Sequence, residues 1–487
     1  MLAGVFMAVL DGVVVAIALP TITAHFGVNL DSTQWVITAY LLVMTVLLLP
    51  AGRIAEYTGR APLFVAGLVL FTLASAACGF APTLAVLIAA RIVQGVGGAM
   101  VFSISNARRK QPRGNQNDSV GGAMVFSISN ALIFEAFPPH ERGRALGYLG
   151  SVVAIGSLAS PVVGGGMVET FGWAYVFFIN IPIGVVVVAA ALRVLPRTHV
   201  RPERFSFDLP GAVALGVALA GLIFFLGQLA DSPVVDAPAA ACALVAVAGT
   251  AAFVLVERRA KAPLVDLGLF AEPLYVLPVV AMLLYFVAAF MLNLIGPFYF
   301  EAVMGFSPAT VGLVFLLLPA VMVVTAPLAG WLYDRTRFPY LAAVGMGLVA
   351  AGYAVAAYAA AARLLVPMLG AFLVIGLGSG LFQAPNNTAQ MSAVPRLWLG
   401  LASAITATGR NLGMSLGVSI GSVLLGALLL AGGNTGPILE ADPALLASSF
   451  GVIGGVGAVL TGLAAALSAL RGVHAMRAVD AGQPVQP

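Results

Sequence analysis

Residues 61–90 of this chain, APLFVAGLVLFTLASAACGFAPTLAVLIAA, contain no charged side chain between Arg60 and Arg91. A second uncharged run, 32 residues long, separates Glu301 from Asp334. A helix needs about 20 predominantly apolar residues to cross the hydrocarbon core of a bilayer. Each run is therefore long enough to hold a membrane-spanning helix.

The composition of the whole chain agrees with a membrane protein. Of its 487 residues, 61% are apolar and only 9% are charged. A soluble domain usually contains about 25% charged residues and about 45–50% apolar ones. The composition therefore excludes a soluble enzyme, a nucleic-acid-binding protein and a disordered scaffold. We predict an all-α integral membrane protein that lies almost wholly inside the lipid bilayer.

The cysteine and histidine patterns do not predict a metal site, a disulfide or a bound cofactor. Cys78 and Cys242 lie in separate apolar runs, and the four histidines are scattered along the chain. Neither pattern has the spacing of a metal site or of a disulfide framework. Asp11 interrupts the first apolar run and no basic region precedes it, so we expect no cleavable signal peptide.

Apolar runs and turn signals divide the chain into fourteen predicted membrane spans. Their approximate bounds are 2–23, 33–51, 62–80, 83–107, 145–166, 174–192, 209–229, 237–256, 275–297, 309–332, 340–361, 365–389, 399–430 and 447–470. With a cytoplasmic N-terminus, 20 of the 23 Lys and Arg residues fall in inner loops, Arg363 falls outside, and Arg91 and Arg410 lie within spans. Inner loops carry an excess of basic residues. We therefore predict that both termini are cytoplasmic, and that the net charge of +4 reflects topology and not a nucleic-acid partner.

Two predicted inner loops share a glycine, an apolar step, an acid and then basic residues. The first contains Gly52, Glu56, Gly59 and Arg60, and the second contains Gly330, Asp334 and Arg335. Internal repeats of this kind are typical of secondary transporters, which bind substrate between their repeats near the bilayer midplane. A generic turn flanked by cytoplasmic charges is the alternative for either loop alone.

A second repeat is of a different kind, because residues 96–107 recur identically as residues 120–131. Identity over twelve residues indicates a recent tandem duplication, an engineered insertion or an assembly error. The first copy completes the fourth span. A second copy that crossed the membrane would invert every later loop, so within the insert 108–131 we predict an interfacial or re-entrant segment.

Two ionisable residues are predicted at similar membrane depth. At 1.5 Å per residue, Asp11 lies about 15 Å into the first span, and Arg91 lies about 12 Å into the fourth span from the opposite face. In a hydrocarbon core about 30 Å thick these depths nearly coincide. Charged residues are costly there and mark function by default. We predict that Asp11 and Arg91 form a proton-coupling device, with a structural ion pair as the alternative; for Arg410 both kinds of role stay open.

The fifth span is rich in small residues and includes Gly156, Pro161, Gly164 and Gly165. Small residues permit close helix contact in lipid, and neighbouring helices tolerate a proline kink. Helix packing alone explains this pattern. A leak-tight, moving interface is the functional alternative.

Aromatic, methionine and amide side chains occur together on the ninth and twelfth spans and predict a substrate cavity. They are Tyr285, Phe286, Phe290, Met291, Asn293, Phe382 and Gln383. Methionine and aromatic side chains repack readily around amphipathic molecules. Aromatic residues at helical spacing also occur in helix cores or facing lipid, so that alternative stays open.

In their order and spacing, these motifs resemble the major facilitator superfamily and, within it, the 14-helix drug:proton antiporter branch. In the first two spans the resemblance rests on Leu10-Asp11 with Ala18-Leu19-Pro20 and on Gln34-Trp35 with Ala39-Tyr40. Further along the chain it rests on the loop from Gly52 to Arg60, on Arg91 with Gln94-Gly95, on Gly156 to Gly165, on Phe177 to Gly184, and on Glu257 to Leu264. It covers nearly the whole chain. Glu56 replaces the usual Asp of the loop, and Ser160 replaces the usual Gly before Pro161.

The resemblance implies the following domain organisation and activity. Two six-helix halves, 1–192 and 273–471, enclose an extra helix pair with its inner loops at 193–272, and a cytoplasmic tail follows at 472–487. Hydrophobic or cationic small molecules are exported by alternating access from the bacterial cytoplasmic membrane. The proton gradient supplies the energy and no cofactor is needed. We expect protons, a small-molecule substrate and lipid as partners, and a monomeric chain.

The resemblance also implies roles for particular residues. Asp11 is a coupling or cation-recognising acid, and Arg91 tunes it within the fourth-helix motif that includes Gln94 and Gly95. The loop from Gly52 to Arg60 is a gating loop that stabilises the outward-facing state. An uptake symporter on the same fold is the first alternative, because fold does not fix function. A transport-inactive receptor or a membrane enzyme is the second.

Overall fold

The computed structural model describes residues 2–102, 142–194, 208–231, 235–260, 267–336, 338–394, 399–434 and 436–480. Within these ranges the chain is almost entirely helical and contains no β-strand. The helices form from long apolar runs. A helix pairs its backbone hydrogen-bonding groups internally, and apolar side chains on its surface suit a lipid environment.

Fourteen helices of 15 residues or longer lie in the described ranges, and we number them in chain order. They are α1 (Leu2–Phe26), α2 (Trp35–Thr58), α3 (Arg60–Gly79), α4 (Leu84–Phe102), α5 (Arg142–Phe171), α6 (Asn180–Val194), α7 (Leu209–Asp231), α8 (Ala237–Arg259), α9 (Pro273–Ala302), α10 (Pro308–Thr336), α11 (Leu341–Ala361), α12 (Leu365–Ser392), α13 (Leu399–Ala431) and α14 (Pro443–Asp480). Single helical turns at Leu30–Thr33 and Tyr175–Phe178 precede α2 and α6.

Twelve of these fourteen helices are long and apolar enough to cross a membrane by length and composition. The other two are α1, whose apolar part covers Leu10–Phe26, and α5, whose side chains are described only from Ile155 onward. The predicted fold class, an all-α membrane protein, is confirmed.

Some helices continue beyond the predicted span ends, because the sequence pattern marks the edge of the membrane and not the end of a helix. The second span was predicted to end at residue 51, yet α2 continues through its charged segment to Thr58. It ends only at Gly59, whose φ of +91° favours glycine. The last span was predicted to end at residue 470, yet α14 continues past the first basic residues to Asp480. The end of the fourth span and the insert 108–131 lie outside the described residues.

The first six and the last six helices meet along two sides. On one side α5 packs against α10, and on the other α2 packs against α13. A smaller contact joins α1 to α9 between these two sides. The predicted bounds of the two halves remain a prediction.

The extra pair, α7 and α8, packs beside the α2–α13 contact. The two helices approach each other closely, since a Cβ added to Gly221 would lie 2.6 Å from the Ala246 nitrogen. A Cβ added to Gly249 would likewise lie 2.7 Å from the Ala218 nitrogen. Helix α7 contacts both α2 and α13, whereas most of α8 is exposed. The pair therefore touches both halves through α7.

On the other side, α5 and α10 touch through their backbones. A Cβ added to Gly165 would meet the Pro308 carbonyl oxygen, and one added to Gly312 would meet the Pro161 carbonyl oxygen. The Ala309 amide donates a hydrogen bond of 3.0 Å to Glu169 Oε2, so a residue of α5 caps the first turn of α10. The two halves are thus closed against each other at this end of the bundle.

We expect Gly312→Val to open this contact. Overpacking costs about 1–3 kcal/mol, so it would shift the ratio of closed to open forms by about tenfold. The measurement is the rate at which a water-soluble thiol reagent modifies a cysteine placed at Val168, which is 5% exposed. Gly347→Val on α11 is the matched control, because an added Cβ there meets no described atom within 4 Å. Equal modification rates in the two variants would contradict this prediction.

Candidate functional site

The two charged residues predicted at membrane depth are in direct contact. Arg91 Nη1, on α4, donates a hydrogen bond of 2.7 Å to Asp11 Oδ2, on α1. The Arg91 side chain is 1% exposed and the Asp11 side chain is 0% exposed. The structure therefore pairs two opposite charges in the interior of the bundle.

Small residues on α4 position Arg91 against α2. A Cβ added to Gly95 would lie 2.9 Å from the Tyr40 carbonyl oxygen, and one added to Gly98 would lie 3.2 Å from the Tyr40 hydroxyl. This close approach places the Arg91 guanidinium 4.2 Å from the centre of the Tyr40 ring, within the range of a cation–π interaction. The Arg91 Nε also donates a hydrogen bond of 2.8 Å to the Val36 carbonyl oxygen. Gly95 therefore contributes to the site by close packing.

Gln94 connects the ion pair to α3. It lies three residues after Arg91 and thus on the same face of α4. Its Nε2 donates to Asp11 Oδ1 at 3.0 Å and to Ser75 Oγ at 2.8 Å. Its Oε1 accepts from Arg91 Nη1 at 2.6 Å. Asp11, Arg91 and Gln94 thus form one hydrogen-bonded cluster that joins α1, α3 and α4.

Asn180, at the start of α6, is a member of this cluster that the pattern of charged residues did not predict. Its Nδ2 donates a hydrogen bond of 2.9 Å to Asp11 Oδ1, and the residue is 0% exposed. In the sequence it was visible only as part of the Phe177–Gly184 family motif. Tyr40 was likewise visible only in the second-helix motif. A polar or aromatic residue in an apolar segment gives no indication by itself of which charge it contacts.

The cluster gives Asp11 an environment that changes when a proton binds. The carboxylate accepts hydrogen bonds from Arg91, Gln94 and Asn180. A protonated carboxylic acid is itself a donor and has fewer acceptor positions. Protonation would therefore weaken the contacts that join α1 to α4 and α6, because the acid loses its charge. Arg91 would keep its bond to the Val36 carbonyl and its contact with the Tyr40 ring.

The structure describes only part of the predicted gating loop. Gly52 is buried, and Gly59 forms the connection between α2 and α3 with its positive φ. The side chains of Glu56, Arg60 and Asp334 lie outside those that the structure describes. Arg335 is exposed, and its guanidinium lies 5.4 Å from the centre of the Trp331 ring.

The glycine motif of α5 lies where that helix contacts α1 and α10. Ser160 Oγ donates a hydrogen bond of 2.5 Å to the Gly156 carbonyl oxygen, within the same helix. A Cβ added to Gly164 would lie 3.0 Å from Val14 Cγ1 of α1. Pro161 and Gly165 lie in the backbone contact with α10 described above. The motif therefore packs α5 against helices of both halves.

The predicted cavity residues fall into two groups. Gln383 Nε2 donates a hydrogen bond of 3.3 Å to the Tyr285 hydroxyl, and the Tyr285 and Phe382 rings lie 5.4 Å apart. Phe290 and Met291, by contrast, line the packing contact between α9 and α13, near Gly417 and Gly421. Asn293 is half-buried on α9, and Arg410 is half-buried on α13. The structure thus joins Tyr285, Phe382 and Gln383 but places Phe290 and Met291 in a helix contact.

Comparison with known proteins identifies the family of this chain. The sequence profile described as Major Facilitator Superfamily matches residues 1–108 and 118–418. The chain is 29% identical to the riboflavin transporter of Clostridioides difficile (strain 630), over 85% of each chain. It is 32% identical to the multidrug resistance protein Stp of Mycobacterium tuberculosis (strain ATCC 25618 / H37Rv), over 86% of this chain and 74% of the relative.

A third relative, the tetracenomycin C resistance and export protein of Streptomyces glaucescens, is 31% identical over 87% of this chain and 74% of its own length. The profile spans both helical halves, and only residues 109–117 of the polar insert interrupt it before residue 418. These matches agree with the all-α membrane architecture. The chain therefore belongs to the major facilitator superfamily, whose members are transporters and not enzymes.

Proposed function

We propose that this protein exports hydrophobic or cationic small molecules across a bacterial cytoplasmic membrane in exchange for protons, by alternating access. The observation that carries this proposal is the buried Asp11 carboxylate, held by donors from α4 and α6. Burial favours the neutral form of a carboxylic acid, and a nearby cation favours the charged form. The contact between Arg91 and Asp11 would therefore differ between the charged and the neutral carboxyl group.

Coupling follows from the contacts that depend on the charge of Asp11. In the ionised form, Asp11 connects α1 to α4 and α6. Proton binding from the outside weakens these connections, and proton release to the inside restores them. Because α1 also packs against α5 and α9, a shift of α1 is transmitted to the contacts between the halves. Proton binding thereby favours one orientation of the halves over the other.

The topology and the relatives both support export as the direction of transport. With both termini cytoplasmic, the closed α5–α10 contact faces the outside, and the glycine motif of α5 forms part of this closure. Two relatives have names that associate them with multidrug resistance and with tetracenomycin C resistance and export. An antibiotic or another drug is therefore the first class of substrate to test.

A second candidate function is transport of a vitamin-like aromatic compound. One relative is a riboflavin transporter. Tyr285, Phe382 and Gln383 combine aromatic surface with an amide, which suits a flat ring system with polar edges. An uptake symporter could use the same buried acid, since the fold alone does not fix the direction.

Inverted membrane vesicles, energised to be acidic inside, test the proposal. We expect lipophilic cations or antibiotics from a panel to cause proton release, monitored with a pH-sensitive dye, above the level of empty vesicles. A variant that lacks residues 108–131 should be at least as active, because the deletion restores one uninterrupted copy of the duplicated sequence. If neither the full chain nor the deletion variant released protons with any compound of the panel, export of these compounds would be contradicted. Proton-driven uptake of riboflavin by right-side-out vesicles would favour the second candidate.

A further inference from the structure

The two sides along which the halves meet differ in chemistry. The α5–α10 side is closed by glycine and proline backbone contacts. The α2–α13 side carries a set of buried polar side chains that the proposed transport mechanism does not use. They are Gln34, immediately before α2, Thr38 on α2, and Asn411, Ser415, Ser419 and Ser422 on α13, and we call them the polar seam.

Contacts on α2 leave one face for the seam residues. Tyr40 and Val43 lie against Gly95 of α4, and Trp35 and Val46 lie against α7. At 3.6 residues per turn, Gln34, Thr38 and Thr45 lie within about 40° of one another and away from both of those faces. Helix α13 is the remaining long helix with an extensive contact to α2. The polar face of α2 is therefore directed toward α13.

Close packing against α9 likewise leaves one face of α13 for the seam residues. Gly413, Gly417 and Gly421 lie against α9, at backbone distances that leave little room for a side chain. Asn411, Ser415, Ser419 and Ser422 follow each other at intervals of four, four and three residues, on the opposite side of the helix. This polar face is therefore directed toward α2 and α7.

Helix α7 covers the polar seam, and its contacts show which parts of α2 and α13 lie at the same depth. A Cβ added to Gly227 would lie 2.9 Å from the Trp35 ring, and the Trp35 and Phe224 rings lie 4.8 Å apart. A Cβ added to Gly426 would lie 2.9 Å from the Ala230 carbonyl oxygen. Gly227 and Ala230 are one turn apart on α7, so Trp35 and Gly426 lie at similar depth. The polar faces of α2 and α13 therefore run side by side beneath α7.

Polar atoms of the seam are buried without partners in the part of the chain that the structure describes. Among the described residues, neither amide atom of Gln34, nor Thr38 Oγ1, Asn411 Nδ2 or Ser415 Oγ, has a hydrogen-bond partner. These side chains are 2%, 1%, 3% and 1% exposed, respectively. A polar group buried without a hydrogen bond is costly. In folded proteins such groups are satisfied by ordered water.

We propose that the polar seam holds a row of ordered water molecules and that α7 separates this water from lipid. Water between α2 and α13 can form new hydrogen bonds as these helices separate, so the halves can move apart on this side. The α5–α10 side, by contrast, closes by direct contact between the helices. The physical role of the extra helix pair is then to shield this water, because lipid would otherwise lie directly against a hydrated helix contact. This inference does not depend on proton coupling or on the identity of the substrate.

The reactivity of introduced thiols tests whether the polar seam contains water. In a chain with Cys78→Ala and Cys242→Ala, single cysteines are introduced by Thr38→Cys and Ser415→Cys and exposed to a small charged methanethiosulfonate in lipid nanodiscs. Only a thiolate reacts, and a thiolate needs a polar environment, so we expect rates at least about tenfold above that of Val311→Cys. Val311 is the matched control because it is 0% exposed on α10. Rates no faster than the control would show a dry contact and overturn the proposal.

A nitroxide attached to the cysteine of Thr38→Cys tests the role of α7. We expect its relaxation to respond to a water-soluble nickel complex more than to oxygen, which concentrates in lipid. Adding Gly227→Leu, which forces α7 away from Trp35, should raise the oxygen response. Val217→Leu, at an exposed position of α7, is the control. An oxygen response that Gly227→Leu leaves unchanged would overturn the shielding role, whatever the vesicles show about transport.

Discussion

Asp11→Asn is expected to reduce substrate-dependent proton release to the level of empty vesicles while the protein still inserts and folds. The amide has nearly the shape of the carboxylate but cannot exchange a proton at the working pH. Arg91 keeps its hydrogen bond to the Val36 carbonyl and its contact with the Tyr40 ring in this variant. The fold is therefore expected to persist although proton exchange at position 11 is lost.

The measurement is the dye assay in inverted vesicles, with the amount of inserted protein matched between variants. Asp442→Asn is the control, because Asp442 is an exposed acid that only caps the first turn of α14. Exchange of labelled for unlabelled substrate, which needs no net proton movement, should survive in Asp11→Asn. Undiminished proton-driven export by Asp11→Asn would remove Asp11 from the coupling mechanism.

The position of the ion pair could be anticipated because charges in apolar spans are rare. Only Asp11 interrupts the apolar run of α1, and counting residues from opposite faces places Arg91 at a similar depth. The structure indeed places the two in contact. The other members of the cluster were not anticipated as partners, because Asn180 and Tyr40 carry no charge and an uncharged residue does not indicate which charge it contacts.

Other features could not be derived from the sequence pattern for identifiable physical reasons. Charged residues mark where the bilayer ends, but a helix continues until its backbone is interrupted, as at Gly59 after α2. The aromatic pattern on α9 did not distinguish Phe290, in a helix contact, from Tyr285, which contacts Gln383 and Phe382. Serine and threonine are common in membrane helices, so the polar seam became visible only when α2 and α13 were seen to pack together.

Arg91→Gln, alone and combined with Asp11→Asn, separates a coupling role from a purely structural one. Removing one partner of a buried ion pair costs about 3–5 kcal/mol, because the other charge stays buried without compensation. We expect Arg91→Gln to lower the free energy of unfolding in detergent by an amount near the lower end of this range, since Gln94 and Asn180 still donate to Asp11.

The double variant Asp11→Asn/Arg91→Gln has no buried charge at this site and should recover at least about 1 kcal/mol relative to the sum of the two single effects. Its proton-coupled export should nevertheless stay at the level of empty vesicles, because no group in the cluster can then exchange a proton. If the pair only held α1 against α4, restoring stability would also restore export. Recovery of export together with stability would therefore assign the pair a structural role, whereas recovery of stability alone would assign it to coupling.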